Sequence, residues 1–467
     1  MRALVFIFCC WLQVGCAAAP RGEFPSEFKW CVATAAHQIE GGNTNSDWWD
    51  WEQAGHIFQN QSSNPADDHW NRVSEDIALL QQLHVRQYRF SVEWAKIEPI
   101  EGQFDEAVIA HYANEVRLLQ AAHIQPMITL QHFTLPHWVA QKGGWAWEGM
   151  PKAFEKMTEL VRRRIGPQVR DWVTTNEPMI MLLLGYLEGS FPPGLPTRQK
   201  PPPFPAVIPP LVGLLKAHAL AYHKLHEFDQ QPGFVPARVS MAHHLRIFDA
   251  KYFLSPFDQV GAWFSNRTFN WVIPQAIETG VLDVFIPFVV NAEVPIEGLK
   301  GTEDYFGLNY YSRDQVHFDT SAPAWLAYSA KQGTPHSDLD WEIYPEGLET
   351  LLLEIHRRYP KLSIAITENG VADKEDRLRS DFLISHLQRL QNALGAGVPV
   401  EGYCHWSLYD NFEWINGYPP RFGLFAVDYE TQKRTLRKSG ELFSQVALKN
   451  ALPKSEEQKP SEKQPDK

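Results

Sequence analysis

The sequence predicts an α/β protein, a single eight-stranded (β/α)8 barrel with extended loops on the C-terminal face of its strands. Three observations carry that expectation. Short β-branched or apolar runs alternate with longer segments of helical period, the order of repeated βα units around a parallel sheet. Eight such runs can be counted. The 467 residues, enough for about two to three average domains, equally fit one barrel with long loops.

The eight runs, in order, are KWCVATAAHQ near residue 30, VRQYRFSVEW near 89, QPMITLQHF near 129, RDWVTTNEP near 174, ARVSMAHHL near 241, DYFGLNYYS near 307, LSIAITENG near 366 and EGYCHWSLYDN near 405. Between them, Val108, Tyr112, Val116 and Leu119 share one helical face, with Asp105 available as the cap. Pro151 suits a first helical position, Phe154, Met157, Val161 and Ile165 recur at helical spacing, and Gly166 can end that helix. Leu383, Leu387, Leu390 and Leu394 repeat the pattern. The proline-rich stretch 191–210 breaks the rhythm and predicts a long loop on the face where the strands end.

Both ends lie outside the barrel, which should occupy residues 20–452. The opening MRALVFIFCCWLQVGCAAAP has one Arg, an apolar run from Ala3 to Gly15 and small residues Ala17 to Ala19. Residues 1–19 therefore read as a signal peptide for secretion or periplasmic export, too short to span a membrane and stay. Cys16 after Gly15 is a candidate lipid-attachment position, although Gln13 stands where such sites usually carry an apolar residue. Residues 453–467 are charged and free of apolar side chains, the composition of a disordered tail.

Composition excludes several classes. Charged residues are 21% and hydrophobic residues 44% of the chain, which fits neither wholesale disorder nor a multi-span membrane protein. Lys and Arg total 43 against 55 Asp and Glu, a net charge of -12, so a nucleic-acid backbone is excluded as partner. The 17 Trp and 15 Tyr include flat faces suited to sugar C–H surfaces, though core packing accounts for most. Only Cys31 and Cys404 fall in the folded body, which predicts two buried free thiols rather than a disulfide framework. Asn60 and Asn266 head glycosylation triplets that matter only in a eukaryotic host. No His, Cys or Asp cluster has metal-ligand spacing, and neither a metal nor an organic cofactor is implied.

Two acids end strands where a barrel places its chemistry. TTNEP sets Glu177 at the end of the fourth run and ITENG sets Glu368 at the end of the seventh, with Pro178 and Gly370 stopping each strand. Strand C-termini converge on one face of such a barrel. Two carboxyls flanking one bond are what glycoside hydrolysis requires. A strand-terminal Glu can equally be a solvated loop residue or an ion-pair partner, so the rest of the pattern decides.

That pattern resembles glycoside hydrolase family 1, the β-glucosidase family of TIM barrels, over residues 24–447. ATAAHQIEG, YRFSVEW, HFTLPHW, TTNEP, GLNYYS, ITENG and WSLYDNFEW occur in family order. The resemblance implies that Glu177 is the acid/base and Glu368 the nucleophile, with Arg89 and Tyr311 supporting Glu368. It implies that Gln38, His132, Asn176, Asn309, Glu413 and Trp414 bind the sugar and that Trp406 is its stacking platform. Taken singly, His132 and Trp406 are more often core residues.

The division of labour has physical reasons. A cation beside Glu368 favours its carboxylate, while Glu177 should be raised by that charge and by burial. Retention of the β-configuration follows, with the carboxyls about 5 to 5.5 Å apart. Carboxylate character at Glu413 should repel a phosphate, which points to an unphosphorylated β-glycoside or short oligosaccharide, glucose first, as the small-molecule partner.

Cys31, Phe133 and the pair Cys404–His405 depart from the usual family pattern, and Phe133 bears most on specificity. Two other functions compete with hydrolysis: a binding protein that has lost catalysis, disfavoured because both glutamates remain, and transglycosylation, which depends on acceptor-side loops such as 191–210. Oligomeric state is left open by the sequence.

Overall fold

A computed structural model describes residues 23–194, 204–286, 290–322 and 325–453. The expected signal peptide with Cys16, nearly all of the charged tail and the centre of the proline-rich stretch lie outside these residues.

All eight expected runs are strands. In chain order the strands are β1 (Lys29–Ala33), β2 (Gln87–Ser91), β3 (Gln125–Gln131), β4 (Asp171–Asn176), β5 (Arg238–Ala250), β6 (Val281–Ile286), β7 (Val290–Pro295), β8 (Tyr305–Phe318), β9 (Leu326–Ser329), β10 (Ser363–Asn369), β11 (Val400–Trp406), β12 (Phe425–Asp428) and β13 (Lys433–Leu436). The order β10-β11-β1-β2-β3-β4-β5-β8 closes through a further β10–β8 pairing. Every pairing around the ring is parallel. The strands β2 and β4 are buried along their whole length, as expected where a barrel interior meets an outer ring of helices.

The helices follow their sequence signals. Asp105 caps the helix Glu106–Ala121 by accepting from the backbone N–H groups of Ala107 and Val108, which satisfies two donors left over at a helix start. Tyr112, Val116 and Leu119 face the core, while Val108 is only half buried. The helix Met150–Arg164 buries Phe154, Met157 and Val161, and Pro151 is its second residue rather than its first. The helix Arg379–Gly395 buries Leu383, Leu387 and Leu390.

Three features differ from expectation. The proline-rich stretch ends in helix: Ile208, Pro209 and Pro210 open the helix Ile208–His226, because proline is tolerated in a first turn, where N–H groups lack helical partners. Strands β5 and β8 run well past the barrel, and β8 pairs antiparallel with β9 to make an extended ribbon. Cys31 and Cys404, expected as free thiols, form a disulfide. Barrel closure sets β11 beside β1 with these two residues in register, an adjacency that their distance along the chain conceals.

Among the described residues no helix is long and apolar enough to cross a membrane.

Candidate active site

Glu368 ends β10 as a buried carboxyl with a donor on each oxygen. Arg89, from β2, donates Nη1–H to Oε1 at 2.6 Å, and the Tyr311 hydroxyl, from β8, donates to Oε2 at 2.6 Å. Burial and the Glu368 charge hold the Tyr311 phenol well above its ordinary pKa, so it remains a donor. Arg89 is fully buried, and its other donors reach Thr129 Oγ1, the Thr367 carbonyl and Asn176 Oδ1. A fork of five donors in one plane suits this many acceptors.

Glu177 follows β4 in the left-handed region, with φ 43° and ψ 57°, and Pro178 opens a short helix immediately after it. A non-glycine residue there is uncommon. Here the Glu177 backbone N–H is fixed to the Ala242 carbonyl at 2.9 Å. Its Oε1 accepts from Asn309 Nδ2 at 2.8 Å and lies 3.0 Å from His244 Nδ1.

Amides join the two carboxyls. Thr367 donates to Asn309 Oδ1 at 2.7 Å, which turns Asn309 Nδ2 toward both Glu177 and Asn176 Oδ1. Arg89 donates to that same Asn176 oxygen at 2.7 Å. The route from Glu368 to Glu177 is therefore Arg89, Asn176, Asn309. With its oxygen so occupied, Asn176 presents Nδ2–H to His132 Nε2 at 3.0 Å. That leaves the His132 proton on Nδ1, and burial holds the ring well below its ordinary pKa, hence neutral.

The remaining expected residues form a wall beside this pair. The His132 ring lies near-parallel to Trp406 and Trp414, with centroids 5.8 and 5.9 Å away. Gln38 donates Nε2–H to Asn411 Oδ1, the Phe412 carbonyl and Glu413 Oε2. Among the described residues, Gln38 Oε1 and His132 Nδ1 are buried polar atoms without a partner. Buried polar groups are normally paired, and these two atoms keep hydrogen-bonding capacity to spare. Phe133 packs against Trp414 and Phe191 with centroids 5.0 and 5.6 Å apart. Hydrogen bonds, ring contacts and the Glu413–Trp414 peptide thus link the eleven expected residues into one connected set.

Two electrostatic expectations need correction. Burial, reinforced by the charges of Glu368 and Glu177, pushes the Glu413 carboxyl up to about 8. It is therefore a neutral acid at neutral pH and can both donate and accept, rather than a repelling carboxylate. For the pair itself, the sequence predicts a raised Glu177 and an ionised Glu368. Burial raises Glu177, but a charged His244, with Asn309 and Arg246, holds it below the ordinary range. Burial pushes Glu368 up to about 7 against the pull of Arg89.

That reversal depends on the charge of His244. Arg246 donates Nε–H to His244 Nε2 at 3.1 Å, which keeps that nitrogen unprotonated and the ring neutral. With a neutral ring its coulombic pull on Glu177 is gone. Both Glu368 oxygens still accept from donors, an arrangement that favours the carboxylate there. The two acids titrate as a pair that takes up one proton between them.

His244 was not singled out in the sequence. Its signal was present, a histidine near the end of the fifth run, where a barrel strand points into the site. Among the described residues no group of three or more His, Cys, Asp or Glu could hold a metal ion.

Known proteins share this architecture. Residues 20–452 match the profile of glycosyl hydrolase family 1. The chain is 32% identical over 454 residues to β-glucosidase A of Thermotoga maritima, covering 92% of this chain and 99% of that protein. It is 31% identical to a 1,4-β-D-glucan glucohydrolase of Thermotoga neapolitana, with the same coverage. The solved β-glycosidase of Pyrococcus horikoshii superposes with a TM-score of 0.82 at 33% identity, over 92% of this chain and 96% of that one. A family 1 β-glucosidase from Thermotoga maritima superposes with a TM-score of 0.84 at 30% identity, over 92% and 100%. The chain belongs to glycosyl hydrolase family 1, the retaining β-glycosidases.

Proposed function

We propose that Glu368 attacks the anomeric carbon and Glu177 serves as acid and then base on an unphosphorylated β-glycoside, with glucose as the preferred sugar. The observation that carries this division is the asymmetry of the donors. Both Glu368 oxygens accept from Arg89 and Tyr311, whereas the hydrogen bond and the close contact to Glu177 both fall on Oε1. Oε2 is the oxygen that carries the proton.

In the first half-reaction a Glu368 oxygen forms a bond to the anomeric carbon while the bond to the leaving oxygen breaks. The Glu177 proton passes to that oxygen. In the second, Glu177 takes a proton from water as the water oxygen bonds to the same carbon and Glu368 departs. Two inversions give retention. Asn176, beside Glu177 and hydrogen-bonded to Arg89, is suited to a sugar hydroxyl whose contact strengthens in the transition state. Gln38 Oε1, His132 Nδ1 and the neutral Glu413 acid offer the mixture of donors and acceptors that a ring of hydroxyls needs.

The phosphate exclusion survives the correction at Glu413 on different grounds. The charged groups acting on Glu413 are Glu368 and Glu177, a pair that keeps a negative charge even with one proton bound, so a sugar phosphate there would sit beside an anion.

Export as a secreted or lipid-anchored protein is supported by the opening segment, with Arg2 ahead of the apolar run and Cys16 near its end. N-terminal sequencing of the mature protein and palmitate labelling test it, and an uncleaved, unlabelled Met1 would refute it.

The division of roles is tested with Glu368→Gly and azide. The expected product is the α-glycosyl azide, because azide replaces the missing carboxylate on its own face. A β-glycosyl azide from this variant would reverse the two assignments.

A further inference from the structure

Glu177 touches one residue to which the chemistry above assigns nothing. His244, buried on β5, brings Nδ1 to 3.0 Å from Glu177 Oε1, a close contact at hydrogen-bond distance whose angle falls short of a hydrogen bond, and among the described residues Nδ1 has no other partner. Behind it Arg246 donates Nε–H to His244 Nε2 at 3.1 Å. Arg246 is in turn paired with Asp314 at 2.9 Å and lies over the Phe269 ring. Phe269 also meets the imidazole edge to face, 5.8 Å between centroids. Residues two apart on a strand share a face, so His244 and Arg246 point to the same side without a turn between them.

An arginine Nε–H can only donate. The nitrogen it meets must offer a lone pair, which assigns the imidazole proton to Nδ1, the atom facing Glu177. We propose that His244, fixed as the neutral Nδ1–H tautomer by Arg246, is a positioning residue that holds the Glu177 carboxyl and sets when it gives up its proton.

Each alternative state of the ring would fail one half-reaction. An imidazolium would strip the proton that the leaving oxygen needs. The other neutral tautomer would aim a lone pair at a carboxylate oxygen. The neutral Nδ1–H form does neither, favouring the ionised base moderately without abolishing the acid. The other groups facing the ring are Tyr311, with centroids 5.7 Å apart, and Arg246 with Asp314 behind it; Glu368 lies beyond Tyr311.

This inference rests on the acid/base reading of Glu177. The test is the pH profile of kcat/KM for the full chain with 4-nitrophenyl β-D-glucoside, whose alkaline limb reports the free-enzyme acid. His244→Phe removes the donor and should move that limb up by about one pH unit. The pair Arg246→Met with Asp314→Asn frees Nε2 to take a proton, and because a charged His244 pulls on Glu177 more strongly than Arg246 does, the limb should move down. His244→Asn, which keeps an N–H donor, should leave the limb within about 0.3 unit of wild type.

Opposite signs from the two sides of one ring are not what a packing defect produces. An unmoved limb, or shifts of the same sign, would overturn the proposal. If His244→Phe does not fold, the Arg246/Asp314 pair and His244→Asn still decide it, because a downward shift in the first with none in the second is required. Glu177→Gln, assayed with 2,4-dinitrophenyl β-D-glucoside, separates the two failures. A wild-type alkaline limb in that variant would sink the acid/base reading itself. Its loss there, with unmoved His244 variants, would sink only the present inference.

Discussion

The two carboxyls proposed for catalysis, Glu368 and Glu177, sit a few side chains apart yet are held in opposite ways. Glu368 is gripped from both oxygens by Arg89 and Tyr311, groups whose donor character does not change at working pH. Glu177 meets Asn309 and a histidine on one oxygen, and the effect of that histidine depends on its own partner. Burial is common to both. What distinguishes them is where the neighbours fall: each Glu368 oxygen has its own donor, whereas both of these neighbours of Glu177 meet Oε1.

Breaking the fixed side should cost most. Glu368→Gly should lower kcat for aryl glucosides by at least about 10⁴-fold, with recovery in azide as the check. On the exchanging side, Glu177→Ala should lose about 10²- to 10⁴-fold on alkyl glucosides. With 2,4-dinitrophenol as leaving group, which needs no proton, the first half-reaction should be nearly unaffected. A uniform loss across leaving groups would contradict the contrast.

Removing the grip without the acid is the next test. Arg89→Met strands Glu368 in a buried site, and taking one partner from a buried ion pair costs about 3–5 kcal/mol of stability. The same change should raise the Glu368 pKa above its value of about 7. The acid limb of kcat/KM should therefore move to higher pH, because the nucleophile must be ionised. A lower-lying limb would argue against Arg89 as its counter-ion.

The smallest effect concerns Glu413, held up to about 8 by burial. An acid whose folded pKa is raised keeps its proton in the native state after the unfolded chain has lost it. Stability is therefore fully present below about pH 4.5 and declines as pH rises through about 8. Glu413→Gln, an uncharged isostere, should have a higher Tm than wild type at pH 9 and an equal one at pH 4. Calorimetry at the two pH values measures this, and an equal Tm at both would show that the acid is not buried in its charged form.

Much of this contrast was legible in the sequence, for a definable reason. Strand-terminal acids stand out because Glu is rare after a run such as Ser363-Ile-Ala-Ile-Thr, and Pro178 or Gly370 marks where the strand stops. The helix start at Asp105 was equally visible from its cap, whereas the caps Ser46 and Ser255 were not read. What escaped notice depends on neighbours across the fold. Cys31 and Cys404 pair only because β11 closes onto β1. His244 resembles His243 in sequence, yet His243 contacts Glu303 and His244 contacts Glu177. Glu413 reads as a charge in any sequence, and only its burial beside two other acids makes it neutral.

Gly370 carries a mechanical corollary. A Cβ built on it would lie 1.9 Å from the Trp406 carbonyl oxygen, so the backbone just after Glu368 is wedged directly against the backbone of Trp406. Neither can drift alone. Any methyl group placed there would push the end of β10 and the end of β11 apart together, which makes this glycine the spacer between the strands that carry Glu368 and Trp406.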